Sequence, residues 1–131
     1  GVVSRADYGG GEIGGGMKIG GNTHIEDNTV VHFTKVIGNN VVIGHSAVIE
    51  ALEVGDNVLI GNNATVLAFA EIGNFCIIGA GAVVQEGMRI PDRSFVVGIP
   101  AEVKGELSAE QMGRVRRAPS VAAALAKEHQ K

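Results

Sequence analysis

Three residues in the first half of the chain carry side chains that could hold a metal ion: His32, His45 and Glu50. The last two lie in the stretch IGHSAVIEA, residues 43–51. Two imidazoles and one carboxylate form a ligand set that zinc accepts, and bound zinc turns water into a nucleophile near neutral pH. The alternative is that all three are solvated surface residues. The elements that position them decide between these interpretations.

A six-residue repeat defines those elements. Large aliphatic residues recur at every sixth position, with one five-residue step between Ile43 and Val48, and glycine often follows them. The period is neither the 2 of a strand nor the 3.6 of a helix, so it indicates a short strand plus a tight corner. Three such units close a triangular coil of about 18 residues. The aliphatic positions are Ile19, Ile25, Val31, Ile37, Ile43, Val48, Val54, Ile60, Val66, Ile72, Ile78, Val84, Ile90 and Val96.

The coil converts sequence spacing into geometry. Glu50 follows His32 by 18 residues, which places it on the same face in the next coil, about 4.8 Å along the axis. His45 belongs to a different face of the triangle. One chain cannot easily bring the three side chains together, but two chains around a threefold axis can. The spacing therefore predicts a homotrimer whose metal site is shared between neighbouring subunits.

Several stretches of the chain resemble the γ-class carbonic anhydrases among the hexapeptide-repeat proteins. They are NTHIEDNTVVH, VIGNNVVIGHSAVIEA, VGDNVLIGNNATVL, IGAGAVV and IPDRSFVVGIPAEVKGEL. The resemblance covers residues 2–112 and implies an all-β fold, a left-handed parallel β-helix that assembles as a homotrimer. It also implies Zn²⁺, or Fe²⁺ or Co²⁺, at His32, His45 and Glu50, in a lyase that hydrates carbon dioxide to bicarbonate.

The resemblance assigns further residues to the surroundings of the metal. Arg5 and Asp7 match the family's Arg-Gly-Asp stretch, and Asp27 keeps an acidic residue that orients neighbouring groups. Glu26 replaces a glutamine that assists the metal-bound water, and Glu50 replaces the third histidine. An anionic ligand neutralises part of the metal charge, so the bound water becomes less acidic. We therefore expect a site that is impaired as a carbonic anhydrase.

Two other functions fit the same sequence. The stretch VVGIPAEV, residues 96–103, resembles the closing segment of hexapeptide acyltransferases. Such an enzyme would use a histidine as the general base on an acceptor held beside acyl-CoA, and the fold alone does not separate the two activities. The replaced third ligand and the short segment FTK after His32 favour a further interpretation, a non-catalytic trimeric scaffold.

The repeat divides the chain into three segments. Residues 1–16 are rich in glycine, which predicts a mobile loop that leads into the first coil. Residues 17–106 contain the repeat and are expected to form the β-helix domain. Residues 107–131 lack it and are expected to form a C-terminal helical tail.

Individual positions within these segments carry local predictions. Ser108 and Gln111 have the spacing of a capping box at the start of the tail helix, and Pro119 predicts a break in it. Cys76 occupies a small inward position of the repeat, which predicts a core residue rather than a reactive thiol. His24 occupies an outward position, which predicts a surface residue.

Charge and composition narrow the range of partners. The net charge is −3, so the chain offers no basic surface for nucleic acid. No apolar run reaches the roughly 18 residues that a membrane span needs. The chain contains one cysteine, so it forms no internal disulfide, which fits a reducing cytoplasm. We expect a cytoplasmic protein that acts on a small-molecule substrate.

Overall fold

The computed structural model describes the backbone of residues 2–13 and 16–129, and the side chains of residue 10 and residues 16–128. Residues 32–93 consist of two-residue strands joined by tight corners, because each repeat unit supplies one inward aliphatic residue and small residues for the turn. The strands are β1 Val2–Ile13, β2 Met17–Val31, β3 Val36–Ile37, β4 Val42–Ile43, β5 Val48–Ile49, β6 Glu53–Val54, β7 Leu59–Ile60, β8 Thr65–Val66, β9 Glu71–Ile72, β10 Ile77–Ile78, β11 Val83–Val84, β12 Arg89–Ile90, β13 Ser94–Val97 and β14 Glu102–Glu106, and the helix is α1 Ala109–His129.

Parallel pairing between successive coils sorts the short strands into three faces. Face A contains β3, β6, β9 and β12, face B contains β4, β7, β10 and β13, and face C contains β5, β8 and β11. Strand β2 supplies the first strand of every face, because it pairs in turn with β3, β4 and β5. The predicted fold, a left-handed parallel β-helix with a C-terminal helix, is confirmed.

The corners between the faces are the second structural unit. The BC corner contains residues 44–47, 61–64 and 79–82. The CA corner contains residues 32–35, 50–52, 67–70 and 85–88, and the AB corner contains residues 38–41, 55–58, 73–76 and 91–93. Most corners place one residue at positive φ, which asparagine and glycine tolerate better than other residues.

The core is a column of aliphatic side chains inside the triangle. The repeat identifies it correctly except at one step: Ile49, not Val48, points inward and is completely buried. The five-residue step therefore falls between Ile49 and Val54, where the CA corner has three residues instead of four. Cys76 is buried in this column as predicted, and burial raises the pKa of its thiol.

A ladder of side-chain oxygens along the AB corner holds successive coils in register. The Oδ1 atom of each member accepts a hydrogen bond of 2.7 to 2.8 Å from a backbone N–H of the coil below. Its members are Asn39, Asp56, Asn74 and Asp92. Each bond satisfies a corner N–H that strand pairing leaves without a partner.

Strand β1 covers the lower edge of the first coil. It runs antiparallel to β2 along all three faces, from Val2 opposite Val30 to Ile13 opposite Met17. The predicted loop over residues 1–16 is therefore wrong for residues 2–13. The physical reason is the open edge of β2, whose unpaired backbone groups are satisfied by a second strand whatever its composition.

Helix α1 lies against face B, where it contacts β2 of the first coil and β4 of the second. The predicted capping box is confirmed, because Gln111 N donates to Ser108 Oγ (3.1 Å) and Ser108 N donates to Gln111 Oε1 (2.8 Å). The predicted break at Pro119 is wrong: the helix continues through this proline, which is buried in its packed side beside Val115 and Ala122.

The helix also changes the environment of face B. His24, predicted at the surface, is only 5% exposed, and its Nε2 lies 3.2 Å from Asn22 Oδ1. The prediction fails because the repeat shows which residues point out of the triangle but not which outward face the tail covers. No helix within residues 2–13 and 16–129 combines the length and apolarity that a membrane span requires.

Candidate active site

A groove of about 560 Å³ runs between α1 and the BC corner. It extends from the first coil, at Glu26, to the coil that contains Gly79 and Ala80. One wall is formed by outward residues of face B, Val42, Leu59 and Ile77, together with glycines of the BC corner. The other wall is the flank of α1, where Ala118, Val121, Ala122 and Leu125 face the groove.

The groove has a cationic end and an anionic end. Arg114 and Arg117 line it near the start of α1, beside the last coils. Glu26 lines it at the first coil and is only 8% exposed. Between the two ends the walls are mostly apolar, so the charges mark the ends of an elongated site.

His45 is the titratable side chain in the wall between these ends. Its backbone is fixed by the coil above: its N–H donates to Asn62 Oδ1 (2.7 Å), and its carbonyl accepts from Asn63 N (2.9 Å). Ser46 N also donates to the carbonyl of Asp27 in the coil below (3.0 Å). The corner therefore holds the histidine in a fixed position while its imidazole stays exposed.

The other predicted ligands lie on the CA corner. Val31 pairs with Ile49, and the next residue of each strand continues this register, so His32 lies beside Glu50. The distance from His32 Nδ1 to Glu50 Oε2 is 3.9 Å. The adjacent-coil arrangement inferred from the 18-residue spacing is thus observed. The ring of His32 also stacks on Phe33, with 3.7 Å between the ring centroids.

A single chain does not assemble the three predicted metal ligands. His45 lies on the BC corner, away from His32 and Glu50, as the spacing implied. In the part of the chain that the structure describes, no three ligand-type side chains form a group that could hold a metal ion. A metal site from these residues would need a second copy of the chain.

The remaining residues assigned by resemblance are placed as follows. Glu26 faces the groove under α1, and Asp27 follows it at the end of face B. Arg5 and Asp7 belong to β1, where the backbone of Asp7 lies opposite His24. The side chains of Arg5 and Asp7 lie outside the described residues.

The sequence analysis did not single out Arg114 and Arg117, which lie in the basic stretch RVRR at residues 114–117. Their three-residue spacing puts both on one side of a helix. Which side packs against the β-helix depends on the docking of α1. Arg116, the next residue after Val115, points elsewhere and lies 5.8 Å from the ring centroid of Phe75.

Comparison with known proteins adds the following findings. The sequence family described as "Bacterial transferase hexapeptide (six repeats)" matches residues 52–86. No curated protein sequence matches the chain. Among solved structures, a hexapeptide transferase family protein from Anaplasma phagocytophilum is similar, with 26% identity and a TM-score of 0.77, over 86% of this chain and 68% of that protein.

Two further structures are similar to the chain. A hexapeptide-repeat acetyltransferase from Vibrio cholerae O1 biovar eltor, solved with acetyl coenzyme A, has 25% identity and a TM-score of 0.61. The match covers 72% of this chain and 62% of that protein. A putative acetyltransferase from Bacillus cereus, with 21% identity, a TM-score of 0.57 and 90% coverage of both chains, supports the fold alone. The match to the transferase hexapeptide family and the similarity to the acetyltransferase solved with acetyl coenzyme A agree with the acyltransferase alternative better than with the γ-carbonic anhydrase interpretation.

Proposed function

We propose that the protein is an acyltransferase that takes its acyl group from acyl-CoA bound in the groove beside α1. One observation carries the proposal: an elongated, mostly apolar groove has two guanidinium groups at one end and His45 near the other. The similarity to the acetyltransferase solved with acetyl coenzyme A supports the choice of donor.

The groove matches the chemistry of such a donor. Arginine binds phosphate through two parallel hydrogen bonds, so Arg114 and Arg117 suit the phosphate groups of CoA. The apolar walls suit the thin pantetheine arm, and three coil spacings give the groove a length of about 14 Å. This placement brings the thioester to the coil that carries His45.

His45 supplies the chemistry. Its imidazole takes a proton from the acceptor as the acceptor attacks the thioester carbonyl carbon, and it returns that proton to the departing sulfur. The C–S bond breaks, the acyl group stays on the acceptor, and CoA leaves as a thiol. The hydrogen bond from His45 N to Asn62 Oδ1 fixes the backbone of the corner that carries this imidazole.

Thiol release from acetyl-CoA tests this proposal, with a panel of small amines and alcohols as acceptors. We expect His45→Gln to lower turnover by about 10²- to 10⁴-fold while the affinity for CoA changes little. His32→Gln is the matched control, because His32 lies on the CA corner, outside the groove. A large loss in His32→Gln without one in His45→Gln would overturn the assignment.

The arginines are tested by calorimetric titration with CoA. Loss of a charged hydrogen-bond donor costs about 1.5–3 kcal/mol, so Arg114→Ala and Arg117→Ala should each weaken CoA binding by about 10- to 100-fold. Arg116→Ala is the control, because Arg116 lies over Phe75 instead of lining the groove. Equal losses in all three variants would mean that only the net charge of the helix matters.

A homotrimer belongs to the same proposal. Val121 and Leu125 line the groove and remain 54% and 47% exposed, an unusual state for two large apolar side chains so close together. A second chain packed along the BC corner would cover them and close the groove. The hexapeptide repeat found by the family match agrees with such an assembly.

A second candidate function places the functional site at the CA corner. The approach of His32 Nδ1 to within 3.9 Å of Glu50 Oε2 favours a metal site completed by His45 of a neighbouring copy, with hydration of carbon dioxide as its reaction. Metal analysis of protein purified without chelators tests it. One bound metal ion per chain, lost in both His32→Gln and Glu50→Gln, would support this candidate.

A further inference from the structure

We propose that Asn62 is a further catalytic residue, whose side-chain amide donates a hydrogen bond to the thioester carbonyl oxygen as negative charge develops there. The inference rests on the proposed acyltransferase function and adds a group that neither His45 nor the arginines supply. It arises from the side-chain hydrogen bond that joins two coils at the BC corner.

The orientation of the Asn62 amide is the first argument. Its Oδ1 atom accepts a hydrogen bond from His45 N (2.7 Å), so the amide lies against the backbone of the proposed general base. This bond also identifies which end of the amide is the oxygen, because an N–H group needs an acceptor. The nitrogen, Nδ2, is bonded to the same carbon and has no hydrogen-bond partner among residues 16–128. Asn62 therefore keeps a free donor beside His45.

The AB corner shows what the stacking of coils requires, and this is the second argument. The oxygen ladder there contains Asn39, Asp56, Asn74 and Asp92. Aspartate and asparagine serve alike, because only Oδ1 takes part in each bond. At the BC corner, Ala80 occupies the position of Asn62 in the next coil, so the ladder stops there. The Nδ2 atom of Asn62 is thus not needed to hold the coils together.

The donors along the groove are the third argument. Four side chains of its described lining carry an N–H group: His45, Asn62, Arg114 and Arg117. In the proposed reaction the arginines bind phosphate beside the last coils, and His45 is the base. The backbone N–H groups of Gly44, Gly61 and Gly79 already donate to carbonyl groups of the coils above. Asn62 is the side-chain donor that remains for the thioester.

The reaction needs a donor at this place. When the acceptor attacks the thioester carbonyl carbon, the π electrons of the C=O bond move to the oxygen, which becomes an anion. A hydrogen bond from Asn62 Nδ2 stabilises this anion more than it stabilises the neutral carbonyl of the substrate, so it lowers the barrier. Asn62 transfers no proton. The C=O bond forms again as the C–S bond breaks, and the proton held by His45 passes to the sulfur.

The test measures thiol release from acetyl-CoA by the full chain, at the plateau of the pH profile, with the most reactive acceptor of the amine and alcohol panel. Asn62→Asp keeps the oxygen that accepts from His45 N, and it removes the donor. Asn62→Ala removes the donor without adding charge, and Ala80 shows that alanine fits this position. We expect each variant to lower kcat by about 10²- to 10³-fold, with little change in the Kd of CoA.

Asn39→Asp is the matched control, because it makes the same change in the AB ladder, outside the groove. It should leave kcat unchanged. We also expect Asn62→Asp to keep the urea midpoint of unfolding, since Asp56 and Asp92 accept the equivalent hydrogen bonds on the AB corner. If Asn62→Asp does not fold, Asn62→Ala decides the question alone.

The outcomes separate this inference from the proposed function. An unchanged kcat in either Asn62 variant, together with a large loss in His45→Gln, would overturn the role of Asn62 and leave the acyltransferase proposal standing. A loss in Asn39→Asp as large as that in Asn62→Asp would also overturn it, because a general effect of charge would then explain both. Absence of thiol release by the unmodified protein with every acceptor would overturn both proposals.

Discussion

Replacing Gly61 with alanine tests how closely neighbouring coils stack at the BC corner, where the groove has its floor. A Cβ atom at Gly61 would lie 2.5 Å from Ala80 N, 2.7 Å from Ala80 Cα and 2.9 Å from Gly79 C. All three neighbours are backbone atoms, so no side chain can turn away to make room. The two coils must move apart instead, and the hydrogen bond from Gly61 N to the carbonyl of Ile78 (2.8 Å) lengthens.

The magnitude follows from these contacts. Overpacking costs about 1–3 kcal/mol, and weakening one backbone hydrogen bond adds about 1 kcal/mol. We therefore expect Gly61→Ala to lower the free energy of unfolding by about 2–4 kcal/mol in a urea titration, with an unchanged denaturant dependence. Because Gly61 also lines the groove, CoA binding should weaken as well.

Gly81, on the same corner, supplies the matched control. Nothing lies within 4 Å of a Cβ atom placed there, but its φ is +69°. Gly81→Ala should therefore cost only the strain of a left-handed alanine, about 1–2 kcal/mol. Gly81→Asn should be neutral or stabilising, because Asn63 has a φ of 62° at the equivalent position of the coil below. If the free energy of unfolding of Gly61→Ala lies within about 0.5 kcal/mol of that of the unmodified protein, the stacking argument is refuted.

Three further predictions concern the thiol, the helix and the assembly. Cys76, whose pKa is raised by burial, should react with a thiol reagent only in step with urea-induced unfolding; rapid reaction in native protein would contradict its place in the core. Ser108→Ala should lower the free energy of unfolding by about 0.5–2 kcal/mol, and Ser108→Thr should recover most of it, whereas equal losses in both would exclude the cap as the cause. Light scattering should give three times the chain mass of 13.5 kDa, with a smaller species in Leu125→Glu; a stable monomer would defeat the trimer.

The six-residue period predicted most of the fold because it encodes the core directly. Every sixth aliphatic points into the triangle, and the 18-residue coil puts His32 beside Glu50 without further information. The repeat assigned Val48 instead of Ile49 to the core because the two aliphatic residues are adjacent. The short corner at residues 50–52 contains no residue that would reveal its length. Only the burial of Ile49 resolves it.

Features that depend on docking between elements could not be predicted in the same way. The glycine-rich residues 2–13 have no strand pattern, and they form β1 because β2 leaves an open edge for them. The burial of His24 and the position of Arg114 in the groove follow from the packing of α1 against face B. The repeat has three outward faces, and no residue in it identifies the one that the helix covers.

The resemblance to γ-class carbonic anhydrases shows how strongly this fold constrains sequence. Stretches such as IGAGAVV and VVGIPAEV satisfy the needs of the coil itself, and they recur whatever the chemistry of the site. The similar acetyltransferase solved with acetyl coenzyme A has this same architecture. Residues outside the repeat pattern, such as Glu26 and Arg117, are therefore better guides to function than the repeat.

The position of bound CoA tests the central claim most directly. A crystal structure of the protein with acetyl-CoA should show phosphate groups against Arg114 and Arg117, the pantetheine arm along α1, and the thioester within hydrogen-bonding distance, about 3 Å, of the His45 imidazole. Acetyl-CoA bound at the CA corner beside His32 and Glu50, or a metal ion there with an empty groove, would contradict it.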